Sequence, residues 1–421
     1  MLEFIVEFKE WFIGLGVLVY ILVPVIWLLT DARKNLRDDG SLNSYGDAVE
    51  TDFRENWVFY FIWLFVLVVF LISLLFNGIS LLSKSMGRKK NKSGNKFLLC
   101  LLLVLCCLSS FGCSANSLMK MRSPCPYAGS SFKWLDSTNM GSYCYKSCGS
   151  EKNGMIYTGR AGFIDMCHVY ESIDRTKGAH KMISDNLKLG KTAFSFKMIE
   201  PATYYFTVEY PVGWNNVSYS EKQTIINVVS IDLGQVIAHR STIWHESITY
   251  FNWSSMIAFS EKPSAFSWED IYSDLLGTVV AAEALREGGN FSAACNRVLN
   301  AKIDELQLVS ILQAKSAWER IKGLWWAGGP YPFINMKERN YDVGFDGFAN
   351  PWLAPGMYFN DVPLPCAAPN LESTFKHGFK FKVEIAPGSG AGRDVAKKIG
   401  KKRVTLDSDL ERAVRRIKMG Y

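Results

Sequence analysis

The stretch SEKQTIINVVSIDLGQVIAHRSTIWHESITY, from Ser220 to Tyr250, sets the fold class of the residues that follow Cys113. Ser220 and Gln223 have the spacing of a capping box, in which two side chains satisfy the first backbone N–H groups of a helix. Apolar residues then recur with the helical period. We predict one long helix from Glu221 to about Tyr250 in a mainly helical domain.

Shorter patterns on either side add further helices and a few strands. Ser267 precedes Glu269 and Asp270, an order typical of a helix N-terminus. Predicted helices cover 162–189, 267–286, 292–299, 309–325 and 407–417, and predicted strands cover 194–210 and 379–385. The prediction is an α+β, mainly helical soluble domain with a few short strands. It comprises a helical domain at 114–370 and a C-terminal strand and basic helix at 371–421.

The N-terminal part contains two charge-free apolar runs, Trp11–Leu29 and Trp57–Leu82. Each is long enough to cross about 30 Å of hydrocarbon as a helix of roughly 20 residues. The loop between them is mainly acidic, whereas the next loop, 84–96, carries only basic charges. Because basic loops stay on the cytoplasmic side, residues 1–85 are expected to form a transmembrane helical hairpin with a cytoplasmic N-terminus.

A third apolar run, Phe97–Phe111, leads into SSFGC at 109–113. Basic residues, a short apolar run, a small residue and then a cysteine form the order of a lipoprotein signal. We therefore predict such a signal at 86–113 with lipidation at Cys113; an uncleaved third membrane helix is the alternative. Residues 1–85 are then either a fused hairpin or an extension before a true start at Met86. Both arrangements place the later residues in the cell envelope, in the periplasm.

The charge and cysteine patterns agree with this location. The net charge of +7 does not indicate nucleic-acid binding, because the basic residues cluster beside the apolar runs and on a C-terminal helix. Six of the ten cysteines follow Cys113. An even number allows disulfides in an oxidising compartment, while a fully reduced set is the alternative.

Four stretches carry a family resemblance: GMIYTGRAGFIDMCHV (154–169), IWHESITYFNW (243–253), FSEKPSAFSWEDIYSDLLGT (259–278) and RNYDVGFDGFANPWLAPG (339–356). Together they resemble a bacterial family known only as a domain of unknown function, DUF4056. The resemblance covers about 120–421 and implies a secreted or lipid-anchored envelope protein. It implies no catalytic residues, so the chemistry has to be argued from the side chains.

Two histidines lie beside carboxylates in predicted helices. Asp165 and His168 are three residues apart and share one helix face, and His245 precedes Glu246 near the end of the long helix. Imidazole nitrogens and carboxylate oxygens suit zinc or another divalent ion. The sequence predicts Asp165, His168, His245 and Glu269 as metal ligands. Glu246 is the predicted general base of metal-dependent hydrolysis.

A structural interpretation of these residues also stays open. HESIT at 245–249 begins like the zincin motif H-E-x-x-H but lacks the second histidine. Asp165 and Glu269 are also placed to serve helix starts, with both histidines as buried structural residues. Two hypotheses of nucleophilic catalysis are also open. They pair Ser241 with His245, or Cys167 with its neighbouring histidine, and both fit helical geometry poorly.

The competing function is a non-enzymatic envelope lipoprotein. Aromatic and turn-forming residues concentrate at 345–356 and at Trp325–Trp326. They form either a rigid loop that covers the core or a surface that binds a partner protein or an envelope glycan. The alternative to the metal-dependent hydrolase is therefore a binding protein that uses these aromatic loops.

Overall fold

The computed structural model describes residues 133–146, 150–253, 261–327, 336–357 and 362–420. All of them belong to one unit of the chain, Ala115–Tyr421. The predicted hairpin, the signal segment and Cys113 lie outside the described residues. Within the described ranges, no helix is long and apolar enough to cross a membrane.

The described residues form an α+β fold with eight α-helices and eight short strands. The helices are α1 (Met166–Lys188), α2 (Tyr219–Tyr250), α3 (Asp270–Glu287), α4 (Phe291–Glu305), α5 (Ile311–Ile321), α6 (Glu372–Lys376), α7 (Gly390–Lys398) and α8 (Ser408–Lys418). The strands are β1 (Met155–Thr158), β2 (Gly162–Asp165), β3 (Ala193–Lys197), β4 (Ala202–Glu209), β5 (Phe348–Ala349), β6 (Cys366–Ala367), β7 (Lys380–Pro387) and β8 (Val404–Thr405). The predicted mainly helical α+β character is confirmed.

Helices α1, α2 and α3 pack against one another at the centre of the core. A Cβ on Gly234 of α2 would lie 2.8 Å from the backbone nitrogen of His180 in α1. A Cβ on Gly277 of α3 would lie 2.3 Å from the carbonyl oxygen of Val169 in α1. Because close-packed interiors leave no room for such an atom, glycine at these two positions lets the three helix backbones approach.

A four-stranded antiparallel sheet, in the order β3-β4-β7-β8, packs beside the helices. Strand β4 alternates buried and exposed residues, with Tyr204, Phe206 and Val208 facing the core. The rings of Phe196 and Phe206 stack 4.7 Å apart on this face. Phe206 lies opposite Val383 of β7, so β7 extends the sheet that β3 and β4 begin, and β8 pairs with β7 to complete it.

The structure corrects several predicted element boundaries. Helix α2 begins at Tyr219, because Ser218 rather than Ser220 accepts the hydrogen bond from the backbone of Glu221. Residues 162–165, predicted to be helical, pair with β1 as strand β2. The side chain of Ser267 does not cap α3; Glu269 occupies that position without a capping hydrogen bond. Helices α6 and α7 were not predicted.

The cysteines of the described region are in two states. Cys144 forms a disulfide bond. Cys167, Cys295 and Cys366 are buried thiols. Burial raises the pKa of Cys366 to about 12, so this thiol stays protonated and unreactive at neutral pH.

Candidate functional site

Charged side chains are buried where α1, α2 and α3 meet. This charged cluster consists of Asp165, His168, Glu171, Arg175, Glu200, His245, Glu246, Asp270 and Asp274. The carboxylates other than Glu171 are at most 7% exposed, whereas the rings of His168 and His245 are 24% and 22% exposed. The two imidazoles are therefore the part of the cluster closest to solvent.

Arg175 and Glu200 form the most deeply buried ion pair of the cluster. Nη1 of Arg175 donates to Oε2 of Glu200 at 2.9 Å, and Nη2 donates to Oε1 at 2.5 Å. Nη2 also donates to Glu171 at 2.6 Å. Burial opposes ionisation of Glu200, but the charge of Arg175 outweighs it and lowers the pKa of Glu200 to about 2. Glu200 is therefore a carboxylate held in one orientation by a two-pronged guanidinium contact.

Glu200 in turn orients His245. Nδ1 of His245 lies 3.2 Å from Oε1 of Glu200, and because the ionised carboxylate only accepts, Nδ1 is the donor. The ring packs edge-on against Trp253 with centroids 5.3 Å apart. Burial lowers the pKa of His245, but the hydrogen bond and charge of Glu200 outweigh burial and raise it to about 9. His245 is mainly imidazolium at neutral pH.

The second ring nitrogen of His245 faces Glu246. Nε2 of His245 lies 4.0 Å from Oε1 of Glu246, whose side chain is 3% exposed. The other carboxyl oxygen, Oε2, accepts a hydrogen bond from the backbone N–H of Phe266. Burial and the neighbouring charge of Asp270 raise the pKa of Glu246 to about 8, against the opposing charges of the two histidines. Glu246 therefore stays protonated at neutral pH.

Phe266 is held in an unusual backbone conformation next to Glu246. This fully buried residue has a φ of 57°, in the left-handed region that bulky side chains rarely adopt. The conformation directs its N–H to Glu246, while its carbonyl oxygen accepts from the backbone of Asn340 at 2.8 Å. Strained conformations of this kind cluster at functional sites.

His168 lies among three aspartates. Its Nε2 is 3.9 Å from Asp165 and 3.5 Å from Asp270, and its Nδ1 is 3.6 Å from Asp274. Burial disfavours the imidazolium, but the three carboxylates outweigh burial and hold the pKa of His168 well above its ordinary value. Asp274 also accepts from Ser172 at 2.8 Å. His168 is therefore a partly exposed cation with its own set of buried counter-charges.

The structure brings most of the predicted site residues together. Asp165 lies beside His168, and Glu246 lies within electrostatic reach of both histidines. Glu269 is buried at the start of α3, where its backbone oxygen accepts from Ser273. Across the described ranges, no group of three or more His, Cys, Asp or Glu side chains is arranged to hold a metal ion.

Asp165 also caps a helix, which is the structural role that the sequence left open as an alternative. It ends β2 and caps α1, accepting from the backbone N–H of Cys167 at 2.8 Å. Its position as the cap, rather than inside the helix, still leaves its carboxylate beside His168. The same residue therefore fixes the start of α1 and contributes charge to the cluster.

The geometry does not support either Ser241 or Cys167 as a catalytic nucleophile. The Ser241 hydroxyl donates to the carbonyl oxygen of Ala238 at 2.7 Å and accepts from Arg175 at 3.2 Å. Its hydrogen bonds therefore bind it to α2 and to the buried guanidinium rather than to His245. Cys167 is buried at 2% exposure, away from solvent.

Five members of the charged cluster were not predicted: Glu171, Arg175, Glu200, Asp270 and Asp274. Asp270 and Asp274 carried a usable signal, because an i,i+4 pair shares one face of a helix. Glu200 carried none, because it lies in the connection between β3 and β4 and meets α1 and α2 only through the fold.

Comparison with known proteins identifies a family but no characterised relative. No curated protein and no solved structure gives a significant match. A family model described as "Protein of unknown function (DUF4056)" matches residues 129–350, a narrower range than the resemblance in the sequence suggested. Because this match covers just over half of the chain, the chain belongs to the DUF4056 family.

Proposed function

We propose that this chain is a membrane-anchored envelope protein whose DUF4056 domain carries a hydrolytic centre with His245 and Glu246 as its acid–base pair. The observation that carries the catalytic part is the chain of contacts Arg175–Glu200–His245, which leaves Nε2 of His245 facing Glu246. An imidazole oriented by a buried carboxylate, with its second nitrogen directed at a partner, is the arrangement that acid–base catalysis uses.

The two groups have different roles in the active ionic form. Glu246, once deprotonated, takes a proton from a water molecule that enters beside the imidazole. His245, while protonated, gives a proton to the leaving group. Since the pKa of Glu246 is about 8 and that of His245 about 9, this form is most populated between those two values. The predicted rate profile is a bell with an alkaline maximum.

Burial of the carboxylates supports a proton-transfer role over a purely structural one. His245 is 22% exposed, whereas Glu200 and Glu246 are 0% and 3% exposed. A substrate therefore meets the imidazole first, with both carboxyl groups behind it. Outside the cytoplasm water is always present as a co-substrate, whereas nucleotides and coenzymes belong to the cytoplasm. This location favours hydrolysis over transfer to a nucleotide or coenzyme.

The envelope location rests on the sequence. The charge-free runs Trp11–Leu29 and Trp57–Leu82, the basic loop at 84–96 and the SSFGC segment at 109–113 support membrane attachment with the domain outside the cytoplasm. A metal-dependent version of the centre would use Asp165, His168, His245 and Glu269 as ligands for zinc or another divalent ion. The arrangement of the described side chains favours the version without a metal.

The proposed centre is tested with the full-length chain purified in detergent. The substrates are p-nitrophenyl acetate, bis-p-nitrophenyl phosphate and p-nitrophenyl N-acetyl-β-glucosaminide, assayed from pH 6 to 10. We expect hydrolysis of one of these classes with a maximum between about pH 8 and 9, and at least ~100-fold loss in His245→Gln and Glu246→Gln. His377→Gln is the control, because His377 is exposed and lies outside the charged cluster.

Two results would contradict the proposal. Equal activity in His245→Gln and in the His377→Gln control would remove His245 from the chemistry. Elemental analysis gives the second result: one equivalent of a divalent ion, lost together with activity in His245→Ala, would replace proton transfer by side chains with the metal-dependent mechanism.

A further inference from the structure

A cleft of about 730 Å³ lies between the loop at 339–352 and the C-terminal helix α8. The aromatic side chains of Tyr341, Phe345 and Trp352 line it, and each is half-buried. This size and this aromatic character are typical of sites for small organic ligands. The charged cluster is not part of the lining, so the cleft is a separate feature of the domain.

The charged residues of the cleft balance one another. Arg339, Arg415 and Lys418 supply cations, and an equal number of acidic residues, Asp342, Asp346 and Glu411, also line the walls. Guanidinium and ammonium groups only donate hydrogen bonds, whereas carboxylates only accept them. Several of these groups already have protein partners: Arg415 pairs with Glu411, Arg339 donates to the carbonyl oxygens of Ala265 and Lys262, and Asp342 accepts from Asn350. A ligand that adds to these contacts has no net charge and carries groups that donate and accept at once. Sugar hydroxyls have this property, and the flat carbon faces of sugar rings suit aromatic side chains.

Asn340 gives a second, independent sign of a ligand. This residue lines the cleft, is 1% exposed, and its side-chain nitrogen Nδ2 has no hydrogen-bond partner among the described residues. The amide is fixed, because its oxygen Oδ1 accepts from the backbone N–H of Asp342 at 3.0 Å. Buried polar groups are nearly always paired, so an oriented and unpaired N–H donor calls for an acceptor that the protein does not supply.

We propose that this cleft binds an uncharged oligosaccharide of N-acetylated amino sugars. A ring face stacks on Trp352, and an acetamido carbonyl oxygen accepts from Nδ2 of Asn340. The hydroxyl groups pair with the carboxylates and the basic side chains of the walls. The binding site is independent of the acid–base pair, and it makes the domain a glycan-binding module whether or not the charged cluster hydrolyses anything.

Calorimetric titration of the full-length chain with hexa-N-acetylchitohexaose tests the proposal, in a detergent without a sugar headgroup. We expect one site per chain, and binding at least ~10-fold weaker in Trp352→Leu, which keeps an apolar side chain but loses the flat ring. Trp325→Leu is the matched control. Trp325 is also half-buried and contacts the ring of Trp352 at 5.3 Å, but it does not line the cleft.

A second variant tests the unpaired donor. Asn340→Asp keeps the oxygen that accepts from Asp342 and replaces Nδ2 by an acceptor, so we expect at least ~10-fold weaker binding of the acetylated hexamer. Cellohexaose, which has the same linkage without acetamido groups, should bind about equally to this variant and to the native chain. The proposal is overturned if the acetylated hexamer does not bind, or if Trp352→Leu binds it as well as the Trp325→Leu control does.

Discussion

Replacing Glu200 by glutamine removes one buried negative charge and keeps nearly the same side-chain shape. Glu200 is the only cluster carboxylate described as contacting both Arg175 and His245. We expect the pKa of His245 to fall from about 9 to below its ordinary value of 6.5. The reason is that burial and the charge of Arg175 both disfavour the imidazolium once Glu200 is neutral.

The magnitude follows from the pKa of His245. A rise from 6.5 to about 9 corresponds to about 3 kcal/mol of preference for the imidazolium in the folded state. Because the folded pKa is the higher one, this stabilisation is complete below about pH 6.5 and is lost as the pH rises through 9. In Glu200→Gln the contribution disappears. Leaving Arg175 with one carboxylate fewer costs up to about 3 kcal/mol more.

The assay is a titration of the histidine Cε1–H signals by NMR, using ¹³C-histidine-labelled full-length chain in detergent. His245→Gln assigns the signal, and thermal unfolding at pH 6 and pH 9 gives the stability. Glu171→Gln is the matched control, because Glu171 also accepts from Arg175 but is 17% exposed. Among the described residues, no hydrogen bond or ion pair joins Glu171 to His245.

The outcome that would refute this reasoning is specific. If the pKa of His245 in Glu200→Gln stays near 9, the hydrogen bond to Glu200 does not control the ring. If Glu171→Gln lowers that pKa as much as Glu200→Gln does, the effect comes from the total charge around Arg175 and the proposed orientation of His245 is wrong.

Three further predictions address other parts of the chain. The pKa of Glu246 is raised from 4.5 to about 8, so its contribution to stability declines as the pH rises between those values. The unfolding temperature should therefore fall less between pH 5 and 8.5 in Glu246→Gln than in the native chain. Gly277→Ala should destabilise the fold by about 1–3 kcal/mol in denaturant unfolding, because its Cβ would meet Val169, whereas Gly390→Ala, with nothing nearer than 4.0 Å, should not. Cys113→Ser should abolish incorporation of labelled palmitate into the chain in cells, and unchanged labelling would place the anchor elsewhere.

The central helix could be predicted from the sequence because its signals are local. Capping residues and apolar periodicity between Ser218 and Tyr250 act within a few residues of one another, and only the choice between Ser218 and Ser220 as cap was wrong. Helix α7 was missed because it begins with Gly390-Ala391-Gly392, a composition that favours a turn. Its start is fixed by Ser389, whose side chain accepts from Gly392.

The charged cluster could be predicted in part. Asp165 and His168 are three residues apart at the start of a helix, so helical geometry places them together. His245 and Glu246 were paired in the prediction only because they are adjacent in sequence. The partner of His245 could not be found this way. Glu200 reaches it across 45 positions of the sequence, and that contact depends on how β3 and β4 pack beside α2. Histidine and carboxylate side chains form metal sites and also surround protonated histidines. Only the distances between these side chains distinguish the two kinds of site.

The energetics of the charged cluster favour the proposed proton-transfer role over a purely stabilising one. Taking several charges out of water costs free energy that ion pairing recovers only in part, and apolar residues of similar volume are often as stable or more so. The pKa of Glu246 shows this cost directly, since burial holds the group in its neutral form. A cluster that only holds three helices together needs no access to solvent.

The two histidines of the cluster nevertheless have access to solvent. Both rings are partly exposed, while the carboxylates behind them are buried. Each imidazole therefore connects solvent to a buried acid, which is the requirement for moving a proton in and out of the interior. Replacing Glu246 by leucine separates the two explanations. A structural cluster predicts lost stability at every pH. A proton-transfer centre predicts a domain at least as stable above pH 8, where the native carboxylate is charged and buried, but without activity.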